Sequence, residues 1–205
     1  MSIPYEQTGR TQQKTRTRSA LVAAARQLLA EGVTPTVERT ADRAAISRTT
    51  AFRYFPNQRA LVVATYPEIA EPSLLGAAAP SDPMERLEAV TEDITRQVVQ
   101  HEPELRAQLR LSLEPRPSSP DGLPFRQGRA IGWLTDALSP LRESIPERDL
   151  RRLVLAIRAT LGIEALVWLT DIAGLSREEA VDIMRLSART LVRSAIADVG
   201  RTAGP

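Results

Sequence analysis

The sequence predicts an all-α fold, with a small basic N-terminal domain followed by a larger helical body. Apolar residues recur at three- and four-residue spacings along most of the chain, and no segment shows sustained alternation of apolar and polar residues. Capping residues and glycine or proline stops separate the helical segments. With 205 residues and no cysteine, the chain is long enough to bury a core without disulfides or cysteine-bound zinc.

Four helices are expected in the N-terminal domain, at about residues 14–31, 37–44, 48–55 and 58–66. The first ends at Gly32 and presents one apolar face, which consists of Leu21, Ala25, Leu28 and Leu29. Thr36 and Ser47 have the side chains of N-caps for the second and third helices. Pro67 ends the fourth, because proline disfavours helical geometry in the residue before it.

The body reads as further helices separated by proline-rich and glycine-rich stretches. A linker at 72–80 precedes Asp82-Pro83-Met84-Glu85, which has the pattern of a helix start. The expected helices run from there to about Gln100, then over about 103–113, 125–138 and 147–173, and finally from the capping box Ser176-Arg177-Glu178-Glu179 to about Val199. A loop is expected at 115–124, which holds four prolines. Residues 147–173 form the longest helix in this interpretation.

Basic residues are concentrated at the N-terminus. Residues 1–59 contain ten basic and four acidic residues, a net charge of +6, whereas the rest of the chain is mildly acidic. The expected division is a flexible basic arm at 1–13, a small helical domain at 14–66 and a larger helical body at 67–205. A polyanionic partner for the basic part is one explanation of this charge; an ordinary solvated surface is the other.

Several classes of function lack their usual signals. No apolar run reaches the length of a membrane span, and the N-terminus lacks the apolar core of a signal peptide, so we expect a cytoplasmic protein without membrane contact. The chain has one histidine and no cysteine. It also lacks a nucleophile elbow, a phosphate loop and metal-ligand spacing, so we expect no catalytic residue, cofactor or metal.

The most informative segment is residues 36–55, where two short helices flank the turn Ala45-Ile46-Ser47. So short a turn predicts a near-perpendicular crossing, the geometry of a helix-turn-helix. At about 100° per residue, Ala51 and Phe55 lie on one side of the second helix. The opposite side and its edges hold Arg48, Thr49, Thr50, Phe52, Arg53 and Tyr54. Such groups suit base edges and phosphates, although the exposed face of any helical hairpin looks similar.

Residues 36–61, TVERTADRAAISRTTAFRYFPNQRAL, resemble the DNA-binding domain of the TetR (tetracycline-repressor) family. The family's usual form is close to TVxDIAxxAGVSRGTFYRYFPSKEAL. The ending Arg-Tyr-Phe-Pro-x-x-x-Ala-Leu, after Ser-Arg-x-Thr, is specific to it, and residues 24–32 match the family's first helix and glycine stop. The close resemblance covers about residues 17–65.

The resemblance implies a homodimeric regulator that reads double-stranded DNA. By position, it implies base or phosphate contacts from Arg48, Thr49, Thr50, Phe52, Arg53 and Tyr54, and a phosphate contact from Thr36. Gln58 stands where lysine is usual, so it can contact the DNA backbone without that charge. The basic segment 10–18 either reaches the adjacent minor groove, as in some family members, or is a solvated tail.

Four departures from the family pattern leave the operator sequence open. Ala51 replaces a bulky apolar residue and Thr40 an isoleucine, which indicates an underfilled or repacked core. Phe52 stands where tyrosine is common and cannot donate to a phosphate. Thr49 replaces a frequent glycine.

Two helices of the body have the apolar pattern of a dimer interface. The stripe on 147–173 holds Leu150, Leu153, Ile157, Leu161 and Trp168, with Leu155, Leu166 and Leu169 elsewhere on the helix. The last helix has a seam of Val181, Met184, Ala188, Leu191 and Ala195. Both patterns also fit a monomer core. The resemblance implies a four-helix dimer bundle from these helices and, with it, a palindromic operator.

The resemblance also implies a small-molecule effector that binds in the body and releases a repressor from DNA. Candidate ligand-binding residues are Leu109, Leu113, Trp133, Arg158, Leu161 and Trp168, each of which could equally be an ordinary core residue. Arg158 and Glu164 interrupt an apolar helix and either bind a polar ligand group or form an ion pair. A DNA-binding regulator without a ligand, or an activator, is the alternative function.

Overall fold

A computed structural model describes residues 5–67, 72–114 and 128–202, with the side chains of 11–67, 72–114 and 128–198. The described residues form ten α-helices and no strand, which confirms the predicted all-α fold. The helices are α1 (Tyr5–Ala30), α2 (Val37–Arg43), α3 (Arg48–Tyr54), α4 (Gln58–Thr65), α5 (Pro83–Gln100), α6 (Glu102–Leu113), α7 (Arg129–Ala137), α8 (Glu147–Thr160), α9 (Ile163–Val167) and α10 (Arg177–Thr202). A 3₁₀ helix (Ser139–Glu143) and a π-helical turn (Trp168–Ile172) complete them.

The chain forms two compact units. The N-terminal unit contains residues 1–68 and 103–125, and the C-terminal unit contains residues 69–102 and 126–205. The first division lies close to the expected boundary, but nearly all of α6 packs in the N-terminal unit instead of the body. Ala107 and Leu111 of α6 form a buried cluster with Leu29 of α1 and Val62 of α4. Helix α6 therefore belongs to the N-terminal unit because of apolar contacts that the sequence pattern does not specify.

Helix α1 begins earlier than expected. Residues 5–13 are its first turns and lie within the segment 1–13 for which the sequence analysis expects a flexible basic arm; residues 1–4 lie outside the described part. Glutamine and glutamate are favourable helix residues, and they make up four of these nine residues. The hydroxyls of Thr15 and Thr17 donate to the carbonyls of Thr11 and Gln13, at 3.1 and 3.0 Å, so these β-branched residues are accommodated within the helix.

The N-terminal unit has a continuous apolar core. It is formed by Leu21, Val22, Ala25, Val37, Ala41, Ala51, Phe55 and Leu61. Arg26 of α1 donates through Nε to the carbonyl of Thr65 at the end of α4, at 2.6 Å, and so satisfies a helix-terminal acceptor. Thr40 is also fully buried, and its hydroxyl has no hydrogen-bond partner. The departure from isoleucine noted above therefore places an unpaired polar group in this core.

In the C-terminal unit the starts of α5 and α10 follow the sequence signals. Asp82 accepts from the backbone N–H groups of Met84 and Glu85, at 2.8 and 2.9 Å. The capping box before α10 is also formed: Ser176 accepts from the N–H of Glu179 at 3.2 Å, and Glu179 accepts from the N–H of Ser176 at 2.8 Å. That backbone hydrogen bond is the main reason why the pKa of Glu179 is lowered.

The expected long helix over 147–173 is broken at Gly162. This residue has φ +131° and ψ −178°, a conformation that is essentially restricted to glycine. A Cβ atom there would lie 2.6 Å from Nη1 of Arg158, and the same nitrogen donates to the carbonyl of Leu161. Arg158 therefore occupies the space that glycine leaves open. The helix ends at Thr160 and restarts at Ile163, and Gly174 (φ +75°) follows its π-helical end.

Helix α10 buries a different stripe from the one predicted for a dimer seam. Ala180, Met184, Ala188 and Val192 are at most 1% exposed and recur every four residues, so they pack within their own unit. Met184 and Ala188 of the predicted seam are thus unavailable to a partner, whereas Val181, Leu191 and Ala195 are half-buried. The exposed apolar residues of α10 are Ile183, Leu186 and Ile196. The sequence contains both stripes, and their burial could not be ranked from spacing alone.

Among the described residues, no single helix has the length and apolar character of a membrane span, although the bent pair Glu147–Thr160 and Ile163–Ile172 meets those two criteria jointly.

Candidate nucleic-acid interface

Helix α2 begins at the N-cap that the sequence indicates. The hydroxyl of Thr36 accepts from the N–H of Arg39 at 3.2 Å, which satisfies one of the free donors of the first turn. A hydroxyl has a proton to donate as well, and Thr36 is only half-buried. The residue can therefore cap α2 and still donate to a phosphate.

The turn between α2 and α3 is a Schellman motif built without glycine. The N–H of Ile46 donates to the carbonyl of Ala41 at 2.9 Å, and the N–H of Ala45 donates to the carbonyl of Asp42 at 3.3 Å. Both bonds are those that close a helix when the following residue is left-handed. Ala45 occupies that position with φ 53°, where glycine is usual because it has no Cβ. The turn therefore contains backbone strain.

Helix α3 is capped by Ser47 and packs by one side, as the sequence predicts. The hydroxyl of Ser47 accepts from the N–H of Thr50 at 3.2 Å and donates to the hydroxyl of Thr50 at 2.8 Å. Ala51 and Phe55 are 0% and 3% exposed, and they anchor the helix in the core of the unit. At position 51 the helix therefore presents only a methyl group to that core.

The opposite side of α3 faces solvent. Arg48, Thr49 and Arg53 are exposed, and Phe52 is 41% exposed, whereas Thr50 and Tyr54 are half-buried at the edge. The structure thus brings together the six α3 residues that the sequence singles out. Exposed aromatic, hydroxyl and guanidinium groups on one short helix match the chemistry of base edges and phosphates.

Gln58 has a structural partner in the N-terminal unit. Its side-chain nitrogen donates to the carbonyl of Pro35 at 3.0 Å and thereby ties the start of α4 to the segment that precedes α2. The bond leaves its amide oxygen and second N–H available. In place of lysine, this glutamine positions the two helices in addition to any contact with DNA.

The basic residues of this unit differ in their pairing. Arg43 donates both terminal nitrogens to Glu31, at 2.7 and 2.8 Å, and the hydrogen bond lowers the pKa of Glu31 and raises that of Arg43. Arg48 donates to Asp42 at 3.2 Å. Over the parts of the chain that the structure describes, no acidic side chain contacts Arg39 or Arg53. These two guanidinium groups are free to approach a polyanion.

The Arg48–Asp42 pair, the Arg43–Glu31 pair and the strained Ala45 were not found by sequence reasoning. The two residues of the first pair are six positions apart and those of the second pair are twelve positions apart, so helical spacing gives no signal for either pair. The alanine at position 45, where the family form has glycine, was the one available sign of the strain.

The candidate ligand-binding residues do not form one cluster within a unit. Leu109 and Leu113 belong to the N-terminal unit, and the other four belong to the C-terminal unit. Trp133 and Leu161 are core residues, at 5% and 0% exposure, whereas Leu113 and Trp168 are 77% and 56% exposed. Arg158 is engaged with the carbonyl of Leu161. Trp168 lies away from the buried stripe because the break at Gly162 ends the regular periodicity on which its assignment depended.

No cluster of three or more potential metal ligands occurs among the residues whose placement is described. In the comparison with known families, the family model for bacterial regulatory proteins of the tetR family matches residues 20–65, the segment from the middle of α1 to the end of α4. No curated protein matches the chain. Residues 20–65 are therefore a DNA-binding domain of the tetR type of bacterial regulatory proteins, and the chain is a DNA-binding transcriptional regulator.

Proposed function

We propose that the protein is a repressor that binds a palindromic operator as a homodimer and is released from it by a small molecule. The observation that carries the proposal is the two-sided character of α3. Ala51 and Phe55 fix one side in the core, while Arg48, Thr49 and Arg53 project into solvent on the other. A helix held in this way can enter a major groove without rearrangement of its own domain.

Each exposed side chain has a role that its chemistry supports. Arg48 and Arg53 have the paired donors that recognise O6 and N7 of guanine, and the apolar edges of Thr49 and Phe52 suit a thymine methyl group. Thr36, Thr50 and Tyr54 lie at the margins, where hydroxyl groups donate to phosphates and fix the register. Gln58 contributes mainly by holding α4 against Pro35.

We propose a dimer because α3, the helix that would contact the bases, is short. Helix α3 has seven residues, so one copy contacts few base pairs, and two copies in successive major grooves are needed for a specific site. The C-terminal unit offers exposed apolar side chains for such an association, namely Leu155, Trp168, Ile172, Ile183, Leu186 and Ile196. A soluble monomer rarely exposes a large apolar patch. We therefore propose that α8, the π-helical turn and α10 contact a second copy of the chain.

Release by an effector requires that the ligand bind differently to the DNA-bound and free arrangements of the dimer. We propose that this ligand binds in the helical body. Because the target is chromosomal DNA, we also place the protein in the bacterial cytoplasm.

The test is selection of bound duplexes by the full-length chain from a random library, followed by titration at several salt concentrations. The proposal expects enrichment of one sequence with two inverted half-sites, and a dimer by analytical ultracentrifugation. Affinity should fall steeply with salt, because exposed arginines displace counterions from phosphates. If no sequence is enriched, or if enriched sites lack symmetry, the operator model is wrong. The same selection repeated with genomic fragments would point to the effector through the genes beside the enriched sites.

A further inference from the structure

We propose that Asp42 is a positioning residue for Arg48, and that it increases the sequence discrimination of α3 by holding the guanidinium group away from phosphates. The inference rests on the proposed reading of DNA by α3 and assigns a role to an acidic residue of α2. It concerns a contact that lies across the turn of the helix-turn-helix.

The geometry places the two groups at the junction of the helices. Asp42 is in the last turn of α2, and Arg48 is the first residue of α3. Nη2 of Arg48 lies 3.2 Å from Oδ2 of Asp42, and the two side chains are 64% and 61% exposed. The pair is therefore on the surface that α3 presents, where it is accessible to a ligand.

Helix stability does not account for either charge. A carboxylate near the C-terminus of a helix and a cation at an N-terminus both oppose the helix dipole. A single exposed ion pair adds little to the free energy of unfolding, so it does not offset this cost. A carboxylate beside the reading helix also repels DNA phosphates and lowers affinity for every duplex. What Asp42 supplies is an orientation of Arg48.

That orientation is useful for discrimination. A guanidinium group has five N–H donors, so one bond to Asp42 leaves two parallel donors for O6 and N7 of guanine. Fixing the planar group in advance reduces the freedom that is lost on binding. On a duplex without that guanine, Asp42 competes with the phosphates for Arg48, and the non-cognate complex is weakened.

The experiment compares three single variants of the full chain on two duplexes. One duplex is the operator selected by the unaltered protein. The other is the same operator with one guanine replaced, at the base pair for which the Arg48→Ala variant has lost the preference of the unaltered protein. Asp42→Ala should lower the ratio of the two affinities about twofold to fivefold, mainly through tighter binding to the replaced duplex. Glu38→Ala is the matched control, because Glu38 lies four residues earlier on α2 and has no ion pair with Arg48.

Glu38→Ala should strengthen binding to both duplexes by one factor and leave the ratio unchanged. In the Arg48→Ala background, Asp42→Ala should no longer change the ratio, because the side chain that Asp42 orients is absent. If Asp42→Ala and Glu38→Ala shift both duplexes equally, Asp42 does not position Arg48, although DNA reading by α3 stands. If the unaltered protein enriches no duplex, the proposed function fails and this inference fails with it.

Discussion

Replacing Thr40 by valine is expected to stabilise the protein. Thr40 is 0% exposed in the core of the N-terminal unit, and its hydroxyl has no hydrogen-bond partner. Burial of an unpaired hydroxyl costs about 1–3 kcal/mol by protein mutational data. Valine has nearly the same shape and a similar helix propensity, so Thr40→Val removes the penalty without a cavity. We expect a gain of about 1–2 kcal/mol, which corresponds to roughly 2–8 °C in Tm for a chain of this size.

The assay is urea denaturation followed by far-ultraviolet circular dichroism, together with a thermal scan of the same samples. Thr65 provides a matched control, because it is also 0% exposed in the same unit but donates to the carbonyl of Val62 at 2.7 Å. Thr65→Val should therefore destabilise by about 1 kcal/mol. Opposite signs for the two substitutions support the reasoning. If Thr40→Val lowers stability as Thr65→Val does, the hydroxyl of Thr40 has a partner in solution and the reasoning is refuted.

Four other predictions follow from the same contacts. Ala45→Gly should stabilise by roughly 1 kcal/mol in urea denaturation, because it removes a left-handed alanine at φ 53°, whereas Ala44→Gly, at φ −82°, should give no gain. Gly162→Ala should destabilise by about 2–4 kcal/mol through its Cβ and its backbone, while Gly132→Ala, in the middle of α7 with nothing near its Cβ, should stabilise by up to about 1 kcal/mol; equal effects would contradict the role of Arg158. Arg48→Ala should weaken operator binding by about 1–3 kcal/mol and leave binding to random duplex largely intact, and an equal loss on both in a gel-shift titration would remove its base-reading role. Because Arg43 lowers the pKa of Glu31, the stability difference between the unaltered chain and Glu31→Gln should be present above about pH 4.3 and be lost as the pH falls through the lowered pKa; a difference that grows in acid would have the wrong sign.

Local sequence signals predicted the beginnings of most helices. Thr36, Ser47 and Asp82 each form the cap that their side chains indicate, because capping depends on neighbours two or three residues away. The outward side of α3 was predictable for the same reason, since Ala51 and Phe55 are its apolar side. These features depend on contacts that the chain makes with itself at short range.

Features that depend on tertiary contacts were not predictable. A glycine within a helical pattern is usually tolerated, and the break at Gly162 is apparent only from its tertiary structure, in which φ is +131° and the guanidinium of Arg158 is packed where a Cβ would be. Helix α10 has two apolar stripes of similar spacing, and which one packs inside depends on α5 and α8. The placement of α6 depends likewise on Leu29 and Val62, which lie far away in the sequence.

The contribution of α6 to the N-terminal unit has a consequence for dissecting the protein. A fragment that stops after α4 would include every residue of the family match and yet lack the helix that covers Leu29 and Val62. Those side chains would become exposed to water. The fragment would lose buried apolar surface, and a unit of its size has little stability in excess of what it needs to fold. The N-terminal unit is therefore discontinuous in sequence, and we expect a fragment of it to be stable only with residues from beyond position 100 still attached.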